Sequence, residues 1–257
     1  MSDAPPIAGD FLALLANKSF SMQRTEAHAS APVQTQATTV FAFHFAEGVM
    51  MAGDRRATAG NVIVTDRVDK IIEIDAGSLL AIAGVPATAF EMARVLQTSF
   101  EYYRRSQLQS LSLPAKVRAL ARLLRENLPM TMQGVGIVVP LFAGLDHSTT
   151  PSKPQIYFYD PLGAQFQAVG HAASGSGSGT IRSILSYQER FGAPRPSQMN
   201  LAQAVQFALR LLLVASEFDS ATGGVNPETQ SFATIKVLGA EGVQTITSEQ
   251  QAGFLRP

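Results

Sequence analysis

The sequence contains no cysteine, which excludes disulfides and thiolate-held metals and fits a reducing compartment. Charge is also scarce. Charged residues make up 16% of the 257, and the 20 basic side chains balance the 20 acidic ones. A neutral chain without a basic run argues against nucleic acid or an anionic membrane surface as a partner. No apolar run reaches the roughly 20 residues that span a bilayer. The N-terminal "FLALLA" follows Asp10 and no basic segment, so a cytoplasmic location is expected rather than secretion. The four histidines are His28, His44, His147 and His171, and no H-E-x-x-H pair or G-x-S-x-G elbow accompanies them. His28 falls in a polar tail, His147 in a loop and His44 within a strand, while His171, next to a glycine run, stays open as a base. That run, "SGSGSGT", lacks the lysine of a phosphate loop and the spacing of a dinucleotide site, so a tight turn into a helix is expected. What is present is apolar: 46% of the chain, enough for a full core. A surface this poor in charge suggests one covered by copies of the same chain.

Residues 1–37 are rich in Pro, Ala, Ser, Gln and Thr and read as flexible chain. At Thr38 the texture changes. "TTVFAFHFA" alternates Val40, Ala42 and His44 against Phe41, Phe43 and Phe45, the period of a strand. "EG" and "VMMAGDRR" complete a hairpin whose return strand brings Asp54 back beside Thr38. "NVIVT", "KIIEID" and "SLLAIAG" continue as strands, followed by helices over "PATAFEMARVLQTSFEYYRR" and "PAKVRALARLLRENL". Strands are expected again in "GVGIVVPLFAG", "QIYFYD" and "AQFQAVG", with "DHSTTPSKP" an exposed loop. Helices follow over Ile181–Arg190 and "NLAQAVQFALRLLLVASEF", and "SFATIKVLG" and "GVQTITS" close as a strand pair. Blocks of strands and helices, rather than strict alternation, predict an α+β fold: two mainly antiparallel sheets face to face with helices outside. No linker divides residues 38–257, which read as one domain.

One route to a nucleophile suits the Thr38 border. A threonine hydroxyl is weak until a base takes its proton. Were the chain cut between Ala37 and Thr38, Thr38 would own an α-amine with an unperturbed pKa of about 7.7–8.0, near working pH. The amine and hydroxyl then come pre-positioned on one residue, and the β-branch restricts χ1. Such chemistry needs a buried lysine, a carboxylate to hold it and a backbone N–H for the oxyanion. Asp54 lies 16 positions after Thr38, Lys70 16 after Asp54 and Gly84 14 beyond that. Taken singly, each has a plainer explanation: a turn aspartate, a solvated lysine, a helix-start glycine.

Together they resemble a known family. "TTVFAFHFAEGVMMAGDRRATAGNVIVTDRVDKIIEID", "AIAG", "SGSGSGT" and "DSATGG" are similar to the start of a mature proteasome β-type subunit, its oxyanion glycine, its "GSGS" turn and its "DSASGG" motif. The similarity runs from Thr38 nearly to the C-terminus. The ATP-dependent bacterial threonine peptidase ring is similar too, but lacks the full set. The resemblance implies the N-terminal nucleophile hydrolase fold, a four-layer αββα sandwich. It implies that residues 1–37 are a propeptide removed by self-cleavage and that Thr38 is the nucleophile. It implies that Asp54 holds Lys70, that Gly84 supplies the oxyanion N–H, and that Ser176, Asp219 and Thr222 surround the amine. Thr222 stands where the family has serine, and Ala37 where it often has glycine. The pocket for the residue before the cut maps to Ala57, Val68, Ile72, Ile82, Pro86 and Phe90, which implies bulky apolar substrates. Ile72 and Phe90 read equally well as core. Substrate pinned as an added strand maps to Thr58, Gly84 and Pro86, and proline brings no N–H.

The implied activity is a threonine-type endopeptidase acting on peptides or unfolded protein, without a cofactor. The implied assembly is a homo-oligomer of stacked seven-membered rings. α-Type subunits or a separate ATPase unfoldase are candidate partners, and the stand-alone bacterial homologue without α subunits is an alternative. Two other readings stay open. One is a ring scaffold with weak or no peptidase activity, and the other is a small-amide hydrolase with the same N-terminal logic.

Overall fold

In the computed structural model the first strand, β1 (Thr39–Phe45), is buried on both faces because both are apolar. Val40 and Ala42 point toward the opposite sheet, while Phe41, Phe43 and Phe45 point toward helices. β1 pairs antiparallel with β2 (Gly48–Gly53), and the hairpin sets Val40 opposite Gly53. Asp54 leaves the hairpin with its N–H on the Thr39 carbonyl at 3.1 Å. The structure describes residues 38–60, 62–225 and 232–255, all within one compact unit, Gln34–Pro257. The expected propeptide lies outside the described residues.

A short hairpin of β3 (Ala57–Ala59) and β4 (Val62–Thr65) follows. Next come β5 (Ile71–Asp75), β6 (Ser78–Ala81), α1 (Pro86–Gln107), α2 (Leu113–Glu126) and α3 (Leu128–Met132). β7 (Leu141–Asp146), β8 (Lys153–Tyr159), β9 (Gln165–Ala168) and β10 (His171–Gly175) lead to α4 (Ser178–Phe191) and α5 (Leu201–Phe218). β11 (Thr234–Gly239), β12 (Gly242–Ile246) and α6 (Ser248–Leu255) end the described chain. One sheet runs β10-β1-β2-β11-β12 and the other β5-β6-β7-β8-β9, every pairing antiparallel.

Three apolar layers fill the spaces between. Val40, Met51, Leu79, Leu141 and Ile156 lie between the sheets. Phe41, Phe43, Met50, Ile181 and Leu209 lie between the first sheet and α4–α5. Leu80, Phe142, Leu96 and Leu120 lie between the second sheet and α1–α2. The expected four-layer αββα sandwich is therefore the observed fold. By length and composition α5 could cross a membrane, yet Val205, Leu209 and Leu212 are buried against the first sheet.

Some expectations need correction. "GVGIVVPLFAG" is strand only from Leu141: Gly134 and Gly136 take φ of +75° and +66°, and Pro140 has no N–H to give a ladder. The loop expected at 146–154 shrinks to 147–152, because β7 runs through Asp146 and β8 starts at Lys153. Within the glycine run, Ser174 and Gly175 still belong to strand β10 and only then does the chain turn. His171 opens that strand opposite Phe43 and makes its side-chain contact with Ser186 at 3.3 Å, as a packing residue.

Candidate active site

The hairpin β1–β2 and strand β10 converge at the N-terminal end of β1. Thr38 is buried, and its carbonyl accepts the Ser176 N–H at 2.9 Å. The turn after β10 makes that contact possible. Gly175 sits at φ +95°, and a β-carbon there would overlap the Thr38 carbonyl, so the close approach requires glycine.

Asp54 is buried and receives four donors. Its Oδ1 accepts from the Thr39 N–H at 2.8 Å and from Lys70 Nζ at 2.7 Å. Its Oδ2 accepts from the Arg56 N–H at 2.9 Å and the Gly223 N–H at 3.0 Å. Lys70, just before β5, also donates to the Arg56 carbonyl. Both members of the ion pair are almost wholly buried, with side-chain exposures of 2% and 0%. Burial pushes the Lys70 ammonium below its ordinary pKa, and the Asp54 charge works against that shift without cancelling it. A lysine held this way gives up its proton more easily than a surface lysine.

A second network lies on the β10 side. Ser176 Oγ and Thr222 Oγ1 each donate to Asp219 Oδ2 at 2.6 Å. Thr39 Oγ1 lies 2.6 Å from Thr222 Oγ1 and accepts the Gly177 N–H at 3.0 Å. The Thr222 proton is directed to the carboxylate, so the Thr39 hydroxyl donates to Thr222. Asp219 is the C-cap of α5, where a carboxylate gains nothing from the helix dipole, and the two hydroxyls supply its partners.

Gly84 follows β6 of the second sheet and lines one cavity together with Gly175. It sits at φ +112° in an isolated bridge with Val138. Val85 N–H to Ile137 and Val139 N–H to Ala83, both 2.8 Å, make that bridge and leave the Gly84 N–H directed away from it. Any β-carbon at Gly84 would overlap the Ile137 carbonyl.

The structure brings together six of the seven residues expected to do chemistry: Thr38, Asp54, Lys70, Ser176, Asp219 and Thr222 share one hydrogen-bonded region, and Gly84 stands on the facing sheet. The expected substrate pocket is less unified. Ala57 and Ile82 are buried, Thr58 is buried in β3, and Val68 and Pro86 are half-buried. Ile72 and the exposed Phe90 line a cavity of about 460 Å³ that also carries Asp69, Arg94 and Lys236; the other five do not line it. Pro86 is the first residue of α1, where a missing N–H costs the helix nothing.

Thr39, Arg56 and Gly223 escaped the sequence reading. Thr39, taken only as strand, carries a hydrogen bond to each network. Its signal was the second hydroxyl in "TT". Arg56 and Gly223 hold Asp54 through backbone N–H groups, for which the side-chain alphabet carries no signal, and the Arg56 guanidinium also donates to the Ser220 carbonyl at 3.1 Å. Among the described residues no three His, Asp or Glu side chains gather as a metal site.

The chain is similar to known proteins over most of its length. The family model described as "Proteasome subunit" matches residues 34–226. The chain is 36% identical to "Proteasome subunit beta" of Acidimicrobium ferrooxidans over 92% of its own length and 84% of that protein. It is 37% identical to "Proteasome subunit beta 2" of Thermomonospora curvata, covering 84% of this chain and 74% of that one. Against "Proteasome subunit beta" of Streptomyces griseus the identity is 35%, covering 85% and 75%.

Proposed function

The chain belongs to the proteasome subunit family, and from that premise we propose that it is a threonine-type endopeptidase subunit whose nucleophile is Thr38. The observation that carries the reading is the buried Asp54 Oδ1, which accepts both the Lys70 ammonium and the N–H of the residue next to Thr38. One carboxylate oxygen thus ties a lysine of lowered pKa to the start of β1.

Cleavage between Ala37 and Thr38 frees the Thr38 amine. That amine takes the Thr38 Oγ1 proton, directly or through a water, as the oxygen attacks the substrate carbonyl. The Gly84 N–H, uncommitted to its bridge, donates to the oxyanion. The carbon–nitrogen bond then breaks, and the departing amine takes the proton. Water hydrolyses the resulting ester and restores the threonine. The positive charge of Lys70 stabilises charge developing on Oγ1, while Ser176, Asp219 and Thr222 hold the amine's surroundings. Ala57, Val68, Ile72, Ile82, Pro86 and Phe90 receive a bulky apolar residue before the cut.

Exposed apolar side chains support assembly with further copies, as stacked rings that enclose the sites. Val62, Ile63 and Val64 are consecutive and exposed, as are Phe191 and Phe218. The test is turnover of a short fluorogenic peptide with a bulky apolar residue before the cut, by wild type and by Thr38→Ala. Turnover lost in Thr38→Ala supports the reading. A wild-type particle without turnover supports a ring scaffold instead, the alternative that Pro86 favours.

A further inference from the structure

Beside Gly84 the two sheets part around a cavity of about 400 Å³. It has Gly84 on one wall and Gly175 on the other. The position of this cavity follows from topology. β1 has β2 on one edge and β10 on the other. Asp54 follows β2, and the residues implied to hold the substrate side chain before the cut share that side. Gly175 ends β10, so the cavity lies across Thr38 from them. A substrate whose carbonyl meets the Gly84 N–H would send its leaving segment this way.

The lining has a definite chemistry. Ile137, Val139 and Phe158 form an apolar wall. Two polar side chains at its border are already committed: Tyr159 donates to the Val117 carbonyl at 3.0 Å and Ser174 to the Val139 carbonyl at 2.6 Å. Two remain. Ser178 opens α4 and Arg182 lies one turn later on the same face. Among the described residues the Arg182 guanidinium forms no ion pair. The uncommitted chemistry is therefore cationic, a forked donor beside a hydroxyl at the positive end of a helix.

We propose that this cavity binds the leaving segment of the substrate, and that Arg182 selects an acidic side chain within the first two residues after the cut. The inference rests on the Thr38 reading above. An aliphatic stem lies against Phe158 and Val139, and its carboxylate meets Arg182 and Ser178.

The experiment uses internally quenched peptides, identical before the cut and carrying Glu, Ala or Lys in the first two positions after it. A peptidyl aminocoumarin amide, which has no residue beyond the cut, reports the Thr38 chemistry alone. Wild type is expected to prefer the Glu peptide over the Lys peptide by about 5-fold in kcat/KM at low salt, the upper range for an exposed ion pair. Added salt shrinks the ratio. Arg182→Lys keeps a preference, Arg182→Ala brings the ratio near unity and Arg182→Glu inverts it. A ratio within one enzyme is independent of how much of the sample is active. Hydrolysis of the coumarin amide without a Glu preference, or the same preference in Arg182→Ala, overturns this proposal alone. No hydrolysis of the coumarin amide by wild type overturns the Thr38 reading, and this proposal with it.

Discussion

Removing Asp54 and removing Lys70 should have unequal consequences, because the two ends of the pair are supported differently. Lys70→Met takes away one of four donors to the carboxylate. The N–H groups of Thr39, Arg56 and Gly223 still neutralise it, at 2.8, 2.9 and 3.0 Å. The lost pair is offset in part because a buried ammonium no longer needs desolvation, so the expected cost is about 1–2 kcal/mol. Asp54→Ala leaves the same three N–H groups without an acceptor and takes from the buried ammonium its carboxylate partner. Orphaned donors cost about 1–3 kcal/mol each, and an uncompensated buried charge about 3–5 kcal/mol. Lys70 can lose its proton to relieve part of this, since burial already lowers its pKa. A net cost of about 4 kcal/mol or more remains. Urea unfolding followed by circular dichroism at matched protein concentration measures both. The double variant Asp54→Ala, Lys70→Met should be more stable than Asp54→Ala alone, because it removes the stranded charge. If Lys70→Met costs as much as Asp54→Ala, or the double variant is the least stable of the three, the reasoning is refuted.

Other expectations follow from the same geometry. Pro86→Ala restores an N–H where a substrate strand would be pinned and should raise short-peptide kcat/KM about 5-fold, equivalent to roughly 1 kcal/mol; an unchanged value removes the idea. Thr222→Val deletes the hydroxyl between Thr39 and Asp219 and should lower stability by about 1–2 kcal/mol, while Thr222→Ser stays near wild type in the same unfolding assay. Burial, the largest cause in both cases, holds His44 and His171 below their ordinary pKa of 6.5. The unfolded chain therefore takes up protons first as pH falls below 6.5. Stability is unaffected by these groups above that value and declines below it, by up to about 1.4 kcal/mol per pH unit for each proton. The gap in Tm between pH 7.5 and 5.5 should narrow in His171→Gln, and an unchanged gap counts against the assignment.

Much of this architecture is legible in local pattern. The strict alternation of β1 and the turn at "EG" fix the first hairpin and with it the return of Asp54 to Thr39. The expected stripe of Val117, Leu120, Leu123, Leu124 and Leu128 is met in part: Val117, Leu120 and Leu124 are buried in α2, Leu123 is half-buried and Leu128 falls in α3. Pattern fails where tertiary contact decides. "HAASG" lacks β-branched residues, and it becomes β10 because its backbone completes the edge of β1. The apolar "GVGIVV" reads as strand, yet two left-handed glycines bend it so that Val138 can meet Gly84. At the site, Asp54 and Lys70 are visible as side-chain types at informative spacings, and Asp219 through the resemblance of "DSATGG". The donors that hold Asp54 in place are peptide N–H groups, which any residue carries, so only the folded chain reveals them. Thr39 was hidden by distance along the chain instead: its hydroxyl matters through Thr222, 183 positions away.

Intact mass and peptide turnover measured on one purified, assembled sample test the central claim most directly. The account predicts a chain that begins at Thr38, with turnover abolished in Thr38→Ala. Turnover by particles whose chains still begin at Met1 would contradict it, because an amide nitrogen at Thr38 cannot serve as the base.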